Sequence, residues 1–271
     1  MESTEPVKGK KDKMEIKEII PDELKSLLSD ATFEAIEIGC SDTSVYRVKK
    51  QDDTWYLKIG KDTNLIKEHN ALVWLEGKLL VPKVLYYQEA NGYQYLLTEG
   101  IQGEMIFEYK EHYGKDLAME IIIQAFKDIR NVDISDCPFD VGIDYKLALV
   151  RDNLDKKLVN DDGLKAETLE TYGSAEGLYQ YLFENKFYDE VIFSHGDTSL
   201  PNIFGLGDKL SGLIDVGECG KADAWFDLAI CQKSILRNFG QDYVDLFYKK
   251  LNIIPDEFKI NYYLLLMELY L

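Results

Sequence analysis

Two aspartates and one asparagine carry the chemistry that this sequence offers. The stretch Ile192-Phe193-Ser194-His195-Gly196-Asp197-Thr198-Ser199-Leu200-Pro201-Asn202-Ile203-Phe204 brings His-Gly-Asp off a short apolar run and sets an asparagine five residues after the aspartate. A second apolar pair, Leu213-Ile214, delivers Asp215, then Val216 and Gly217. Phosphoryl transfer needs such a set. One carboxylate orients an acceptor hydroxyl and takes its proton, while an amide oxygen and a second carboxylate hold magnesium against a triphosphate. Asp197, Asn202 and Asp215 fit those roles in that order. An aspartate beside glycine is also common in plain turns. The full order, loop then strand then Asp-x-Gly, is what sets this stretch apart.

The spacing from Asp197 to Asn202 is that of a protein-kinase catalytic loop, with His-Gly-Asp in place of His-Arg-Asp. Further stretches extend the likeness: Trp74 to Leu79 with Val81 to Leu85, Asp133 to Pro138, Ile214 to Gly220, and Ala222-Asp223-Ala224-Trp225-Phe226-Asp227. Together with residues 193–204 they make the chain resemble the aminoglycoside phosphotransferases, most closely the group that phosphorylates the 3′-hydroxyl (the kanamycin kinases). The resemblance runs from about Glu37 to the C-terminus. It implies an α+β, two-lobed, protein-kinase-like fold, with a small β-rich N-lobe and a larger, mainly helical C-lobe. It also implies O-phosphorylation dependent on ATP or GTP and on Mg2+.

Composition narrows the classes. The chain has 271 residues, 46% of them apolar, enough for a sizeable core in two lobes around a cleft. No run is long and apolar enough to span a bilayer, and residues 1–13 lack the apolar heart of a signal peptide. Cys40, Cys137, Cys219 and Cys231 show no C-x-x-C spacing and read as reduced thiols, so a cytoplasmic protein is expected. Residues 101–271 hold 17 basic and 31 acidic side chains, a balance of −14 out of −18 for the chain. Such a field repels nucleic acid and anionic membrane and draws cations, so a small polycationic substrate is the expected partner. Neither monomer nor dimer is implied.

The expected organisation is a loose arm over 1–15, a nucleotide-binding N-lobe over 16–100 and a C-lobe over 101–271 that carries the catalytic loop and the substrate pocket. A short helix begins at Ile20-Pro21-Asp22-Glu23. Residues 34–60 alternate as strands, and Asn91-Gly92 turns a hairpin between Val81 to Tyr87 and Tyr93 to Thr98. Lys58 ends an apolar strand, and a helix over about 63–75 sets Glu68 on the face of Leu72. A kinase needs a strand lysine on the phosphates, held by a helix glutamate. The family pattern puts its pair at Lys58 and Glu68.

The resemblance adds further expectations. The turn between the first two strands, with Ser41, would cover phosphate. Tyr56 would stack on adenine, and backbone groups near Thr98 and Gly100 would hydrogen-bond it. His195 and Asp227 would brace the catalytic loop without touching substrate. The acidic connection from Asp161 and Asp162 to Gly173, expected as a loop, would close over the acceptor, with Glu268 and the terminal carboxylate of Leu271 lining the same pocket. From Lys115, helices are expected, with an apolar stripe of Leu117, Ile121, Ile122, Ala125, Phe126 and Ile129, then helices over about 145–158, 177–183 and 222–239.

Two positions depart from the family. Glu218 stands where an arginine usually follows Asp-x-Gly, and Arg237-Asn238 occupies a helix position that is acidic in the relatives. Both fall where substrate contacts are expected. A kinase of another small amino alcohol or antibiotic, and a nucleotide-binding module without turnover, therefore stay beside the aminoglycoside reading.

Overall fold

The structure, a computed structural model, describes residues 19–36, 43–61, 64–188 and 190–270. These form two compact units. Among the described residues, the first comprises those up to 61 with 85–98, and the second those of 64–84 and 99–270.

The first unit is a five-stranded sheet in the order β1-β2-β3-β5-β4, built from β1 (Thr32–Ile36), β2 (Ser44–Lys50), β3 (Asp53–Lys61), β4 (Val84–Ala90) and β5 (Tyr93–Glu99). Two-residue turns join β2 to β3 and β4 to β5. Asn91 and Gly92 have φ of 55° and 77°, the left-handed pair that a tight hairpin turn requires. Helix α1 (Asp22–Leu27) covers one face of the sheet, where Ile20, Leu24 and Leu28 pack against Val48, Leu57, Ile59, Tyr95 and Leu97. Side chains alternate along a strand. With Leu57 and Ile59 committed to this core, Tyr56 and Lys58 occupy the opposite face of β3.

The second unit is mainly helical. It contains α2 (Leu65–Leu75), α3 (Ile106–Tyr113), α4 (Lys115–Arg130), α5 (Ile143–Asp155), α6 (Ala166–Tyr172), α7 (Ala175–Glu184), α8 (Ala224–Asn238), α9 (Gln241–Leu251) and α10 (Glu257–Leu266). The expected stripe is buried in α4 at Ile121, Ile122, Ala125, Phe126 and Ile129, and Phe126 meets Phe247 of α9 edge to face at 5.0 Å. Two small sheets lie among the helices: β7 (Val191–Ser194) with β10 (Gly220–Asp223), and β6 (Glu104–Met105) with β8 (Ile203–Leu206) and β9 (Lys209–Leu213). Asp256 caps α10 by accepting from the Phe258 and Lys259 N–H groups, as the Pro-Asp-Glu start predicts.

The acidic connection is more ordered than its composition predicts. A 3-10 turn at Asp161–Gly163 leads into α6, which ends on Gly173 at φ 78°. Leu164 and Thr168 are buried there. Tertiary burial therefore makes a helix where polarity alone reads as loop.

Candidate active site

The site grows from two strands and the turns that leave them. β7 and β10 pair antiparallel, with Ser194 opposite Gly220. The loop after β7 and the Asp215-Val216-Gly217-Glu218 turn before β10 therefore emerge side by side. β9 delivers Ile214, whose N–H donates to the Asn202 carbonyl at 3.0 Å. That bond ties the asparagine to the segment bearing Asp215.

Asp197 and Asn202 are mutually fixed. Asn202 Nδ2 donates to Asp197 Oδ2 at 2.8 Å and to the Asp197 main-chain oxygen at 3.0 Å. Both partners are acceptors, so the amide nitrogen must face them and Oδ1 is the asparagine atom left to accept or ligate. Ser199 N–H donates to Asp197 Oδ1 at 3.1 Å. A carboxylate has about four lone-pair sites, so each Asp197 oxygen keeps acceptor capacity for a substrate hydroxyl.

Asp227, on the first turn of α8, pins the loop from beneath. Its Oδ2 accepts His195 N–H at 2.7 Å and its Oδ1 accepts Gly196 N–H at 3.1 Å. Thr198 Oγ1 donates to its main-chain oxygen at 2.8 Å. Asp227 is 2% exposed and His195 is fully buried. Burial pushes the Asp227 carboxyl above its ordinary range, opposed by His195, the two main-chain donors and Lys146. Leu200 N–H donates to Ser234 Oγ at 3.1 Å, a further tie to α8.

The helix that carries Glu68 belongs to this unit. Trp74 of α2 packs on Phe193 of β7 at 5.7 Å and on Phe139 at 6.1 Å. Lys78 lies over the Trp74 ring at 4.0 Å and pairs with Asp136 at 2.6 Å. Two of the sequence stretches, 74–79 and 133–138, thus meet behind the catalytic strand. Glu68 itself is buried, and a Cβ on Gly217 would stand 3.5 Å from its Cβ. Asp215 is exposed, with φ of 64°.

The remaining predicted residues are distributed as follows. Tyr56 and Lys58 are half-buried on β3, Thr98 is buried at the end of β5, and Gly100 follows in the connection. Asp161 Oδ1 accepts the Ala175 N–H that opens α7, at 2.7 Å, while Asp162 is exposed. Glu268 forms a salt bridge with Lys165 at 2.8 Å and also accepts its main-chain N–H at 3.1 Å. Burial opposes ionisation of Glu268, yet the Lys165 and Thr168 hydrogen bonds prevail and hold its carboxyl below the ordinary range. Arg237 is exposed on the last turn of α8. Ser41 and Leu271 lie outside the described residues.

Glu218 has a partner that the sequence does not announce. Lys67 Nζ reaches Glu218 Oε1 at 3.2 Å and donates to the Tyr145 hydroxyl at 3.0 Å. Burial alone would lower the Lys67 ammonium, and Tyr145 with Glu218 raises it instead. Lys146 was also missed, although its placement among Ile143, Leu147 and Val150 on α5 is a readable signal: a cation within an apolar stripe.

Among the described residues no group of three or more His, Cys, Asp or Glu is placed to hold a metal. Asn202 Oδ1 and Asp215, carried by segments that the Ile214–Asn202 bond ties together, would suit magnesium if phosphate oxygens and water completed its shell. The donors are hard oxygens, and the asparagine is already oriented. No described helix is long and apolar enough to cross a membrane, and Cys137, Cys219 and Cys231 are buried free thiols.

A β-rich unit, a helical unit and a catalytic loop of this form define a kinase-like phosphotransferase. The chain belongs to the phosphotransferase enzyme family, whose profile matches residues 32–254. It is 35% identical to an aminoglycoside 3′-phosphotransferase of Enterococcus faecalis, over 93% of this chain and 98% of that one. Among solved structures it is similar to an aminoglycoside 3′-phosphotransferase of type VIII, with TM-score 0.78 and 24% identity over 92% of this chain and 97% of that one. It also resembles aminoglycoside phosphotransferase APH(3'')-Id from Streptomyces rimosus in complex with ADP and streptomycin, with TM-score 0.72 and 23% identity over 91% and 95%.

Proposed function

We propose that this protein transfers the γ-phosphoryl group of ATP or GTP to an aminoglycoside, at its 3′-hydroxyl, and so confers resistance to the drug. The observation that carries the reading is the Asp197–Asn202 unit, locked by two hydrogen bonds and pinned through His195 and Gly196 to Asp227. The relatives' names support the substrate class, and the −14 balance of residues 101–271 supports a cationic acceptor.

In this reading Asp197 accepts the proton of the acceptor hydroxyl as its oxygen bonds to the γ-phosphorus and the bond to the β–γ bridging oxygen breaks, releasing ADP or GDP. Asn202 and Asp215 hold Mg2+, which when bound offsets the charge of the phosphates. Lys58 positions the phosphates and Glu68 orients Lys58, with Tyr56, Thr98, Gly100 and the Ser41 turn serving the nucleotide. Residues 16–100 act as the nucleotide lobe and 101–271 as the catalytic and substrate lobe, although 64–84, with the Glu68 helix, pack in the helical unit. Asp161, Asp162, Glu218, Arg237, Glu268 and Leu271 shape the acceptor pocket. Glu218 is partly spent on Lys67, which favours a narrower drug range than an unpaired carboxylate would give.

The test is phosphorylation of kanamycin- and neomycin-type drugs with and without the 3′-hydroxyl. Modification only of the drugs that bear it is the expected result. If an uncharged alcohol is modified and no drug is, the acceptor assignment fails. Asp197→Ala should lower kcat by about 10²–10⁴-fold with nucleotide affinity preserved. A loss below about tenfold would remove Asp197 from the role of base.

A further inference from the structure

Lys146 has no part in the steps above, yet it occupies an expensive place. It is 1% exposed on the buried stripe of α5. Its Nζ finds no hydrogen-bond partner among the described residues. It stands 3.6 Å from the ring centroid of Phe226 and 5.3 Å from that of Tyr270. An ammonium removed from water without an acceptor is among the least favourable groups a core can hold. A methionine would fill similar space without that penalty. The ring it faces belongs to the residue immediately before Asp227, the carboxylate that carries the His195 and Gly196 anchors.

We infer that Lys146 is a positioning residue for the phosphotransfer reaction: a buried cation, seated on Phe226, that keeps Asp227 ionised so that both of its oxygens can accept the catalytic-loop N–H groups. The inference rests on the reading of Asp197 as the base. A protonated Asp227 would turn one oxygen into a hydroxyl donor, and one anchor would then face a hydrogen instead of a lone pair. The loop would shift with Asp197 on it.

The groups around the pair come from several elements. Asp227 is hydrogen-bonded by the His195 N–H and feels the His195 charge, while its own charge is felt by Cys219 in the segment before β10 and by Cys231 one turn along α8. Lys146 feels the charges of Asp227 and Glu218 and lies 5.3 Å from the centroid of the Tyr270 ring. Burial lowers the Lys146 ammonium to about 8, against the attraction of Asp227 and Glu218. The anchoring is therefore complete only at pH values where Asp227 is ionised and Lys146 is still charged.

The experiment compares Lys146→Met and Lys146→Arg with wild type. The Met variant should lose about 10–10²-fold in kcat, the effect of a misplaced reacting group, with nucleotide KM changed by less than about twofold on that same geometric argument. The acid limb of its kcat–pH profile should move up by about one unit, because an opposite charge has been removed from beside a carboxylate. The Arg variant should recover most of the rate. Heat stability should divide from activity. The folded pKa of Lys146, about 8, lies below its ordinary 10.5. The unfolded chain therefore binds more protons between these values, and wild-type stability gains across that window. The Met variant lacks this gain, so its Tm relative to wild type should be highest near neutral pH and fall towards pH 10.5.

The pH profile is to be read on nucleotide hydrolysis to water as well as on drug transfer. If wild type modifies no aminoglycoside, the substrate reading fails and the hydrolysis profile still decides the role of Lys146. An unmoved acid limb, or a Met variant within about twofold of wild type in kcat, overturns the inference. A Met variant that loses Tm equally at every pH with its acid limb in place also overturns it, by showing a packing role alone.

Discussion

Gly196 and Glu218 meet through their backbones: with Gly196 at φ 92°, a Cβ on it would stand 2.4 Å from the Glu218 carbonyl oxygen. This contact explains why the catalytic loop reads His-Gly-Asp. A side chain at 196 would both adopt an unfavourable left-handed conformation and push the loop off the Asp215-x-Gly turn. Gly196→Ala should therefore cost about 10²-fold in kcat, since the displacement falls on Asp197. Steady-state rates at saturating nucleotide check this, and a near-wild-type alanine variant would show that the loop tolerates the shift.

The metal assignment gives a graded outcome. Asp215→Asn removes a full charge and should raise the magnesium concentration needed for half-maximal rate while cutting turnover severely. Asn202→Ala removes a neutral ligand but also frees Asp197 Oδ2. It should affect magnesium demand less than Asp215→Asn does and still lower kcat. Titration of rate against magnesium separates the two effects. Undiminished activity in chelator would overturn both.

Lys58 and Glu68 are proposed to act as one device, so their losses should not add. Lys58→Ala and Glu68→Ala should each slow transfer and weaken nucleotide binding. The double variant should be little worse than the poorer single, a coupling of about 0.5–3 kcal/mol. Additive losses in kcat/KM would separate the residues.

Lys67 holds Glu218 at 3.2 Å in a pair whose two side chains are each 40% exposed, so its energy is small and sensitive to salt. Its consequence is one of charge. Lys67→Met would leave Glu218 to the acceptor, and KM for the most highly charged drugs should fall at low ionic strength. The gain should fade with added salt, as exposed attraction is screened within about 8 Å at physiological strength. Nucleotide KM should be unchanged. No change in acceptor KM at low salt would place Glu218 away from the drug.

What could be read from the sequence was the local grammar. The Asp197 to Asn202 spacing, the Asn91-Gly92 turn and the stripe of α4 each depend on neighbours a few residues apart, and each lies where the sequence puts it. What could not be read depends on distant residues. Glu218 finds Lys67 151 positions away. Asp161 spends one oxygen on the start of α7. Helix α6 exists because Thr168 is buried and because Lys165 is held to Glu268, 103 positions on. Polarity patterns carry no information about such partners. Lys146 is the intermediate case: its oddness was visible within α5, but its seat on Phe226 was not.

The left-handed backbone of Asp215 sets two selections against each other. With φ at 64°, an L residue there gives up about 1–2 kcal/mol that glycine would keep, and aspartate is tolerated only because its short polar side chain eases the conformation. Libraries sorted by survival of heating alone should drift to glycine at 215, gaining resilience as they lose the proposed magnesium ligand. Libraries sorted on drug-containing plates should hold aspartate and its strain. The residue thus reports which pressure a population has experienced.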